Sequence, residues 1–176
     1  AAVSALENGA KKVVILEKLG YLGGSTNVSG GALNAVDDKR QKAQGIDDSV
    51  QKFYEATMKG GHNVGNPELV KYLTDNAYPT VKWMEKEGVV FRDKIGAATG
   101  SLGQRSHYGK KPAGYAYTSV FENKLKEYGD RVVVLTETPA TKLIMDKSGR
   151  VIGVSGLHAG KQPVTVMAPS VILATG

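Results

Sequence analysis

The 176-residue sequence contains no cysteine, a single tryptophan and three phenylalanines, and aromatic residues make up 7% of it. Without cysteine there is neither a disulfide framework nor a thiolate metal site, while the compartment stays open because reducing and oxidising environments both tolerate such chains. No apolar run approaches the roughly 20 residues that a membrane-crossing helix needs. His62, His107 and His158 are far apart and form no HxxxH or HExxH pattern, so no metal ligand set is expected. Neither a GxSxG elbow nor a Walker A loop occurs. Basic residues are scattered among acidic ones instead of alternating with aromatics along one face, which argues against a nucleic-acid surface. Repeats and low-complexity tracts are absent too. The net charge of +6 speaks to solubility and steering, not to identity. With 41% hydrophobic residues, the chain is long enough for one sizeable core.

What the sequence has in quantity is glycine, 22 residues of it, and the glycines are not evenly spread. In KKVVILEKLGYLGGSTNVSGGALN, residues 11–34, a short apolar run at 13–16 reads as a buried parallel strand. It is closed by Glu17. A carboxylate at a strand end is an acceptor-only group able to take hydrogen bonds from both hydroxyls of a ribose. Gly23, Gly24, Gly30 and Gly31, with small hydroxyl residues between them, lack Cβ atoms where a flat ligand or a pyrophosphate needs close backbone approach. This pattern predicts a dinucleotide site. Residues 1–6 read as the end of a helix stopped at Gly9. Counting back from Glu17 places the glycines of a dinucleotide fingerprint before Ala1, so the first strand and its Gly-rich loop are expected to be missing from the sequence. A parallel sheet lacking that strand would have to shift its neighbours or borrow a strand.

Further along, Asp47, Asp48 and Ser49 offer caps for a helix carrying Val50, Phe53, Tyr54, Thr57 and Met58, stopped by Gly60 and Gly61. Asn66 and Pro67 open a second helix, with Leu69, Val70 and Leu73 as its apolar side. A third is predicted from Pro79, carrying Val81, Trp83 and Met84 and ending at Gly88. These apolar residues read as core in preference to a cofactor-facing stripe. Residues 94–117 have no periodicity and read as a long loop, bearing Arg105, His107, Lys110 and Lys111. Arg105 and His107 either wall a cofactor or anionic-substrate site or belong to a solvated basic loop. Ser119 and Glu122 have capping-box spacing for a helix running to Tyr128. A buried strand is predicted at 131–135, then an antiparallel meander at 140–145, 151–157 and 164–167, and a last apolar strand at 170–174.

AAVSALENGAKKVVILEK followed by GGSTNVSGGALNA resembles the flavoprotein fold of the fumarate reductase and succinate dehydrogenase family, most closely the soluble flavocytochrome c-type fumarate reductases. MKGGHNVGNPELVKYL…VKWMEKEG and the Arg105-Ser106-His107 element resemble the same family, so the likeness spans nearly the whole chain. It implies a Rossmann-like α/β domain with a parallel central sheet, a helical excursion and an antiparallel meander. Residues 1–176 are then part of an FAD-binding domain, without the cap domain. The resemblance implies FAD as cofactor, with Glu17 on the adenosine ribose and Lys18 beside it. It places Gly23, Gly24, Ser25, Thr26, Ser29, Gly30 and Gly31 at the pyrophosphate and isoalloxazine, and Ala140, Ala174, Thr175 and Gly176 at the adenosine. It implies hydride transfer from reduced flavin to the double bond of a small unsaturated carboxylate, fumarate first and urocanate or another unsaturated acid next. The family's clamping His and Arg residues fall beyond Gly176, so no catalytic residue is assigned and the chain alone is expected to be inactive. A ketosteroid-dehydrogenase-type flavoprotein and a non-catalytic Rossmann-like nucleotide-binding module are the alternatives. A cytoplasmic location is expected, with a secreted or periplasmic parent still open.

Overall fold

The computed structural model describes residues 1–100 and 102–176, and it divides the chain into two compact units. The first comprises Ala1–Ser25 and Phe121–Gly176; the second comprises Thr26–Val120. Both mix helix and strand, as the sequence predicts.

In the first unit, helix α1 (Ala2–Glu7) buries Val3 and Leu6, three residues apart on one face, and ends at Asn8 with Gly9 at φ 93°. Strand β1 (Val13–Leu16) pairs in parallel with β4 (Val132–Leu135), Val13 opposite Val132 and Leu16 opposite Leu135. Their runs VVIL and VVVL are β-branched and apolar, which suits a pleated surface, and β1 is half-buried throughout. Arg131, at the end of the 3-10 turn Gly129–Arg131, ties the two strand entries together. Its guanidinium donates to the carbonyls of Leu6 (3.3 Å), Ala10 (2.7 Å) and Lys11 (3.3 Å), pinning the link from α1 to β1.

Strands β5 (Ala140–Met145), β6 (Val151–His158) and β7 (Gln162–Met167) form the predicted antiparallel meander in that order. The turn between β5 and β6 is built by Asp146, whose Oδ1 accepts from Ser148 N (2.8 Å), Ser148 Oγ (2.6 Å) and Arg150 N (3.1 Å). These bonds hold the fully exposed Asp146 carboxyl below its usual pKa, the Ser148 side chain contributing most. The apolar stretch at 170–174 is not a strand: no strand among the described residues lies beside it, and Ile172 and Leu173 are 65% and 64% exposed. Apolar content supplies the propensity for a strand, and only a neighbouring ladder makes one.

The second unit is the helical excursion. Helix α3 (Asp38–Lys42) is capped by Asp37, and α4 (Val50–Gly60) by Ser49, whose hydroxyl accepts from Lys52 N at 3.1 Å. Asn66 caps α5 through Glu68 N (2.9 Å) and Leu69 N (3.3 Å), with Pro67 in the first turn. Two expectations are corrected here. The second and third predicted helices are one continuous α5 (Pro67–Lys86) with Pro79 inside it, because the buried residues Thr74, Ala77, Val81 and Met84 run along one face on both sides of the proline. Packing of that face outweighs the local break. Leu69 and Leu73 lie off it, 68% and 54% exposed. Helix α6 spans Tyr115–Glu127, so Ser119 is a buried mid-helix residue and not a cap; the helix already starts where Tyr117 and Thr118 donate to the carbonyl of Gly114 (2.9 and 3.2 Å).

Phe53, Ala77, Val81, Met84, Val89, Phe91 and Ile95 make up most of this unit's apolar core. Each of the larger ones contributes on the order of 1.5–3 kcal/mol by its burial. The predicted loop at 94–117 is more ordered than its composition implies. Strands β2 (Leu33–Asn34) and β3 (Ser106–His107) pair antiparallel, and Phe91 and Gly96 bridge to Gly109 and Ser106. Residue 101, within that loop, lies outside the described residues. No helix among the described residues is long and apolar enough to cross a membrane.

Candidate functional site

Glu17 follows directly on β1, where a parallel strand delivers its terminal side chain to the carboxyl end of the sheet, the edge at which open α/β sheets bind ligands. Its backbone is locked on both sides: its N–H donates to Leu135 O at 2.9 Å, and its carbonyl accepts from Thr138 N at 2.8 Å. One carboxylate oxygen, Oε1, accepts from Leu19 N at 2.7 Å in a local turn. That bond fixes the carboxylate and leaves the second oxygen as an acceptor of the kind that sugar hydroxyls need. Ala140, the first residue of β5, is exposed just past the crossover that pins Glu17. Lys18 is exposed. Ala174, Thr175 and Gly176 are exposed and belong to no element.

After Glu17 the chain bends through Gly23 and Gly24, at φ 97° and 44°, into the short helix α2 (Gly24–Val28), which the sequence reading did not foresee. A Cβ on Gly24 would meet nothing within 4 Å, so what requires glycine there is the left-handed backbone. The exposed Ser25 and Thr26 lie in α2.

In the second unit, Ser29 and Gly30 are exposed while Gly31 is buried at φ 70°. A Cβ on Gly31 would fall 2.7 Å from the backbone of Ala113, so close chain packing explains this glycine. The segment is fastened to the start of α6. Gly114 N donates to Ser29 O at 3.1 Å, the Tyr117 hydroxyl donates to the Gly31 carbonyl, and the Thr118 hydroxyl donates to Asn27 Oδ1. Burial pushes the Tyr117 phenol up from its usual pKa, in keeping with its role as a donor. Sequence reasoning gave Tyr117 and Thr118 no role and took Gly114 only as one of the glycines of the 94–117 loop; the one available signal was a glycine directly ahead of an aromatic helix start.

The structure bears on one of the two expectations for Arg105 and His107. They are 4% and 0% exposed, so the loop is not a solvated basic one. Arg105 forms a bidentate pair with Asp48, Nε to Oδ2 and Nη2 to Oδ1 both at 2.8 Å, with its guanidinium 4.7 Å from the Phe53 ring centre. His107 Nδ1 lies 3.2 Å from Arg105 O and Nε2 lies 3.3 Å from Asp37 Oδ2. Asp37 also accepts from Arg40 at 2.7 Å, and Arg40 reaches Glu85 at 2.6 Å. For Asp37 and Asp48 burial works to raise the pKa, but hydrogen bonds from Arg40 and His107 to the first, and from Arg105, Gln41 and Ser49 to the second, hold both carboxyls below their usual range. The polar fork of Arg105 is thus committed to holding the fold.

A parallel strand ending in a carboxylate, followed by a glycine turn, defines a dinucleotide-binding α/β domain. Residues 1–176 match the FAD binding domain family. The chain belongs to that family, and FAD is its cofactor. It is 35% identical over its whole length to a fumarate reductase (cytochrome) of Shewanella frigidimarina, of which it spans 30%. It is 32% identical, again over its whole length, to an NADH:fumarate oxidoreductase of Klebsiella pneumoniae (strain 342), of which it spans 19%. The solved open conformation of a flavocytochrome c3 fumarate reductase superposes with a TM-score of 0.90 at 29% identity, over 99% of this chain and 30% of that one. The residues present fit FAD: Glu17 offers an acceptor-only carboxylate, one oxygen of which takes the Leu19 N–H while the other suits the hydroxyl donors of a ribose.

Proposed function

We propose that this chain is the FAD-holding part of an oxidoreductase that reduces the carbon–carbon double bond of a small unsaturated carboxylate, with fumarate as the first candidate and urocanate or another unsaturated acid next. The observation that carries the reading is the fixed strand-end carboxylate of Glu17 in a chain that aligns throughout with proteins named for fumarate reduction. The chain spans less than a third of those relatives, so in this reading it supplies cofactor binding, and no residue in it is assigned to the substrate.

Glu17 holds the ribose, with Lys18 beside it and the backbone at Ala140 and at 174–176 meeting the adenosine. The Gly23–Gly24 turn with Ser25 and Thr26, and the Ser29, Gly30 and Gly31 segment, are assigned to the pyrophosphate and flavin side. When bound and reduced, FAD would supply the hydride, and the protein supplies its placement. A cytoplasmic location is part of the proposal, supported by the relative that draws on NADH, a soluble reductant of the cell interior.

The test is turnover by the intact protein with a reduced dye or NADH as donor and fumarate, urocanate and acrylate as acceptors. Reduction of at least one with the release of the saturated acid is expected. A flavin-loaded protein that reduces none of them, but oxidises a ketosteroid, would replace this reading with the ketosteroid-dehydrogenase alternative.

A further inference from the structure

In the first unit, Thr136, Thr138 and His158 form a closed polar triangle to which the cofactor assignment gives no role. Thr138 is fully buried. Its hydroxyl donates to the Thr136 carbonyl at 2.7 Å and stands 2.9 Å from His158 Nδ1, while Nδ1 is itself 3.2 Å from the same carbonyl. A carbonyl only accepts, and the single hydroxyl proton of Thr138 is already directed at it. The triangle therefore closes only when His158 carries a proton on Nδ1 and donates it to Thr138 Oγ1.

The triangle grips the crossover from β4 to β5. On that crossover Thr138 N donates to the Glu17 carbonyl at 2.8 Å, Glu137 N to the Leu19 carbonyl at 2.9 Å, and Ala159 N, next to His158, to the Glu137 carbonyl at 2.8 Å. Leu19 N holds Glu17 Oε1 in turn, at 2.7 Å. Glu137 and Ala159 stand at φ 48° and 49°, left-handed backbone that favours glycine and persists only where surrounding bonds enforce it. A continuous set of hydrogen bonds thus runs from the His158 ring to the Glu17 carboxylate, and the same crossover leads straight into Ala140.

We propose that His158 and Thr138 are positioning residues for the adenosine half of bound FAD, acting through the Glu17 turn and the entry to β5. This rests on the FAD reading above. The prediction is selective, because the crossover touches the end of the cofactor that FAD and ADP share and FMN lacks.

The experiment measures binding of FAD, ADP and FMN to the apo form of the intact protein, with the unfolding temperature of each variant recorded. Thr138→Val and His158→Gln are expected to weaken FAD and ADP roughly tenfold, as for one or two lost hydrogen bonds, with FMN unchanged. His158→Asn, whose amide N–H takes the place of Nδ1–H, is expected to stay within about twofold of wild type on the same scale. FAD and ADP binding insensitive to Thr138→Val and His158→Gln would overturn the proposal, as would an equal loss of FMN. Should Thr138→Val not fold, the contrast between His158→Asn and His158→Gln decides on its own. A wild-type protein that binds neither FAD nor ADP would instead overturn the cofactor reading, an outcome distinct from insensitive variants of a protein that binds.

Discussion

In the proposed reading Glu17 divides its carboxylate between two tasks, one oxygen on its own turn and the other on the ribose. Glu17→Gln keeps an acceptor for Leu19 N but loses the charge, and it is expected to weaken FAD binding by about tenfold, read by flavin fluorescence titration. The glycines near it are not interchangeable. Gly24 faces open space, whereas a Cβ on Gly114 would collide with the Thr26 carbonyl and one on Gly31 with the Ala113 backbone. Gly31→Ala combines that collision with a left-handed φ and is expected to cost about 2–4 kcal/mol, seen as a lowered unfolding temperature. Arg105→Ala would leave Asp48 buried without its bidentate partner, a loss expected near 3–5 kcal/mol by the same measurement. The Arg105 cost is structural, and flavin bound at saturation should keep its spectrum in an Arg105→Ala protein that folds.

Helix α5 shows how tertiary packing overrides a local signal. Pro79 removes the hydrogen bond to the Asp75 carbonyl, yet the helix runs on past it, with side chains on either side bonding back one turn, Thr80 to Asn76 O at 2.8 Å and Asn76 to Tyr72 O at 2.7 Å. Pro79→Ala, at an exposed position, is expected to raise stability by about 1–3 kcal/mol, seen as an increased midpoint in urea. The elements legible in the sequence were those with punctuation matched to their packing: the Asn66–Pro67 start, the Ser49 cap, and the alternating strands of the meander. Misread elements had punctuation without that support. Pro79 looked like a start, Ser119 and Glu122 looked like a capping box, and 170–174 looked like a strand, and none of these patterns reports what lies across from it. At the site, Glu17 was visible because a strand-end acid carries chemistry in its residue type. The parts played by Thr138, His158 and Tyr117 come from contacts about 20 to 120 residues apart in sequence, which no local pattern encodes.

At the level of the whole molecule, acid should act chiefly through the buried carboxyls of the second unit, since the lowered Asp146 carboxyl of the first is fully exposed. The folded pKa values of Asp37 and Asp48 lie below those of the unfolded chain, so the native state binds fewer protons. Their contribution is fully present above the ordinary carboxylate value of about 4 and is lost as pH falls through the lower folded values. The urea midpoint is therefore expected to be level from neutral pH to mildly acidic solution and to drop below it. Asp48→Asn should be less stable at neutral pH and show a shallower drop in acid, since one of the two linked carboxyls is gone.

The central claim is that this chain holds a flavin adenine dinucleotide by its adenosine end at Glu17. The most direct measurement is the visible absorbance spectrum of the purified intact protein before and after dithionite, beside that of Glu17→Ala prepared in the same way. Twin flavin bands that bleach on reduction are expected in the wild type, and substoichiometric flavin in the variant. A colourless wild-type protein that cannot be reconstituted with FAD, or a Glu17→Ala protein that retains full flavin, would contradict it.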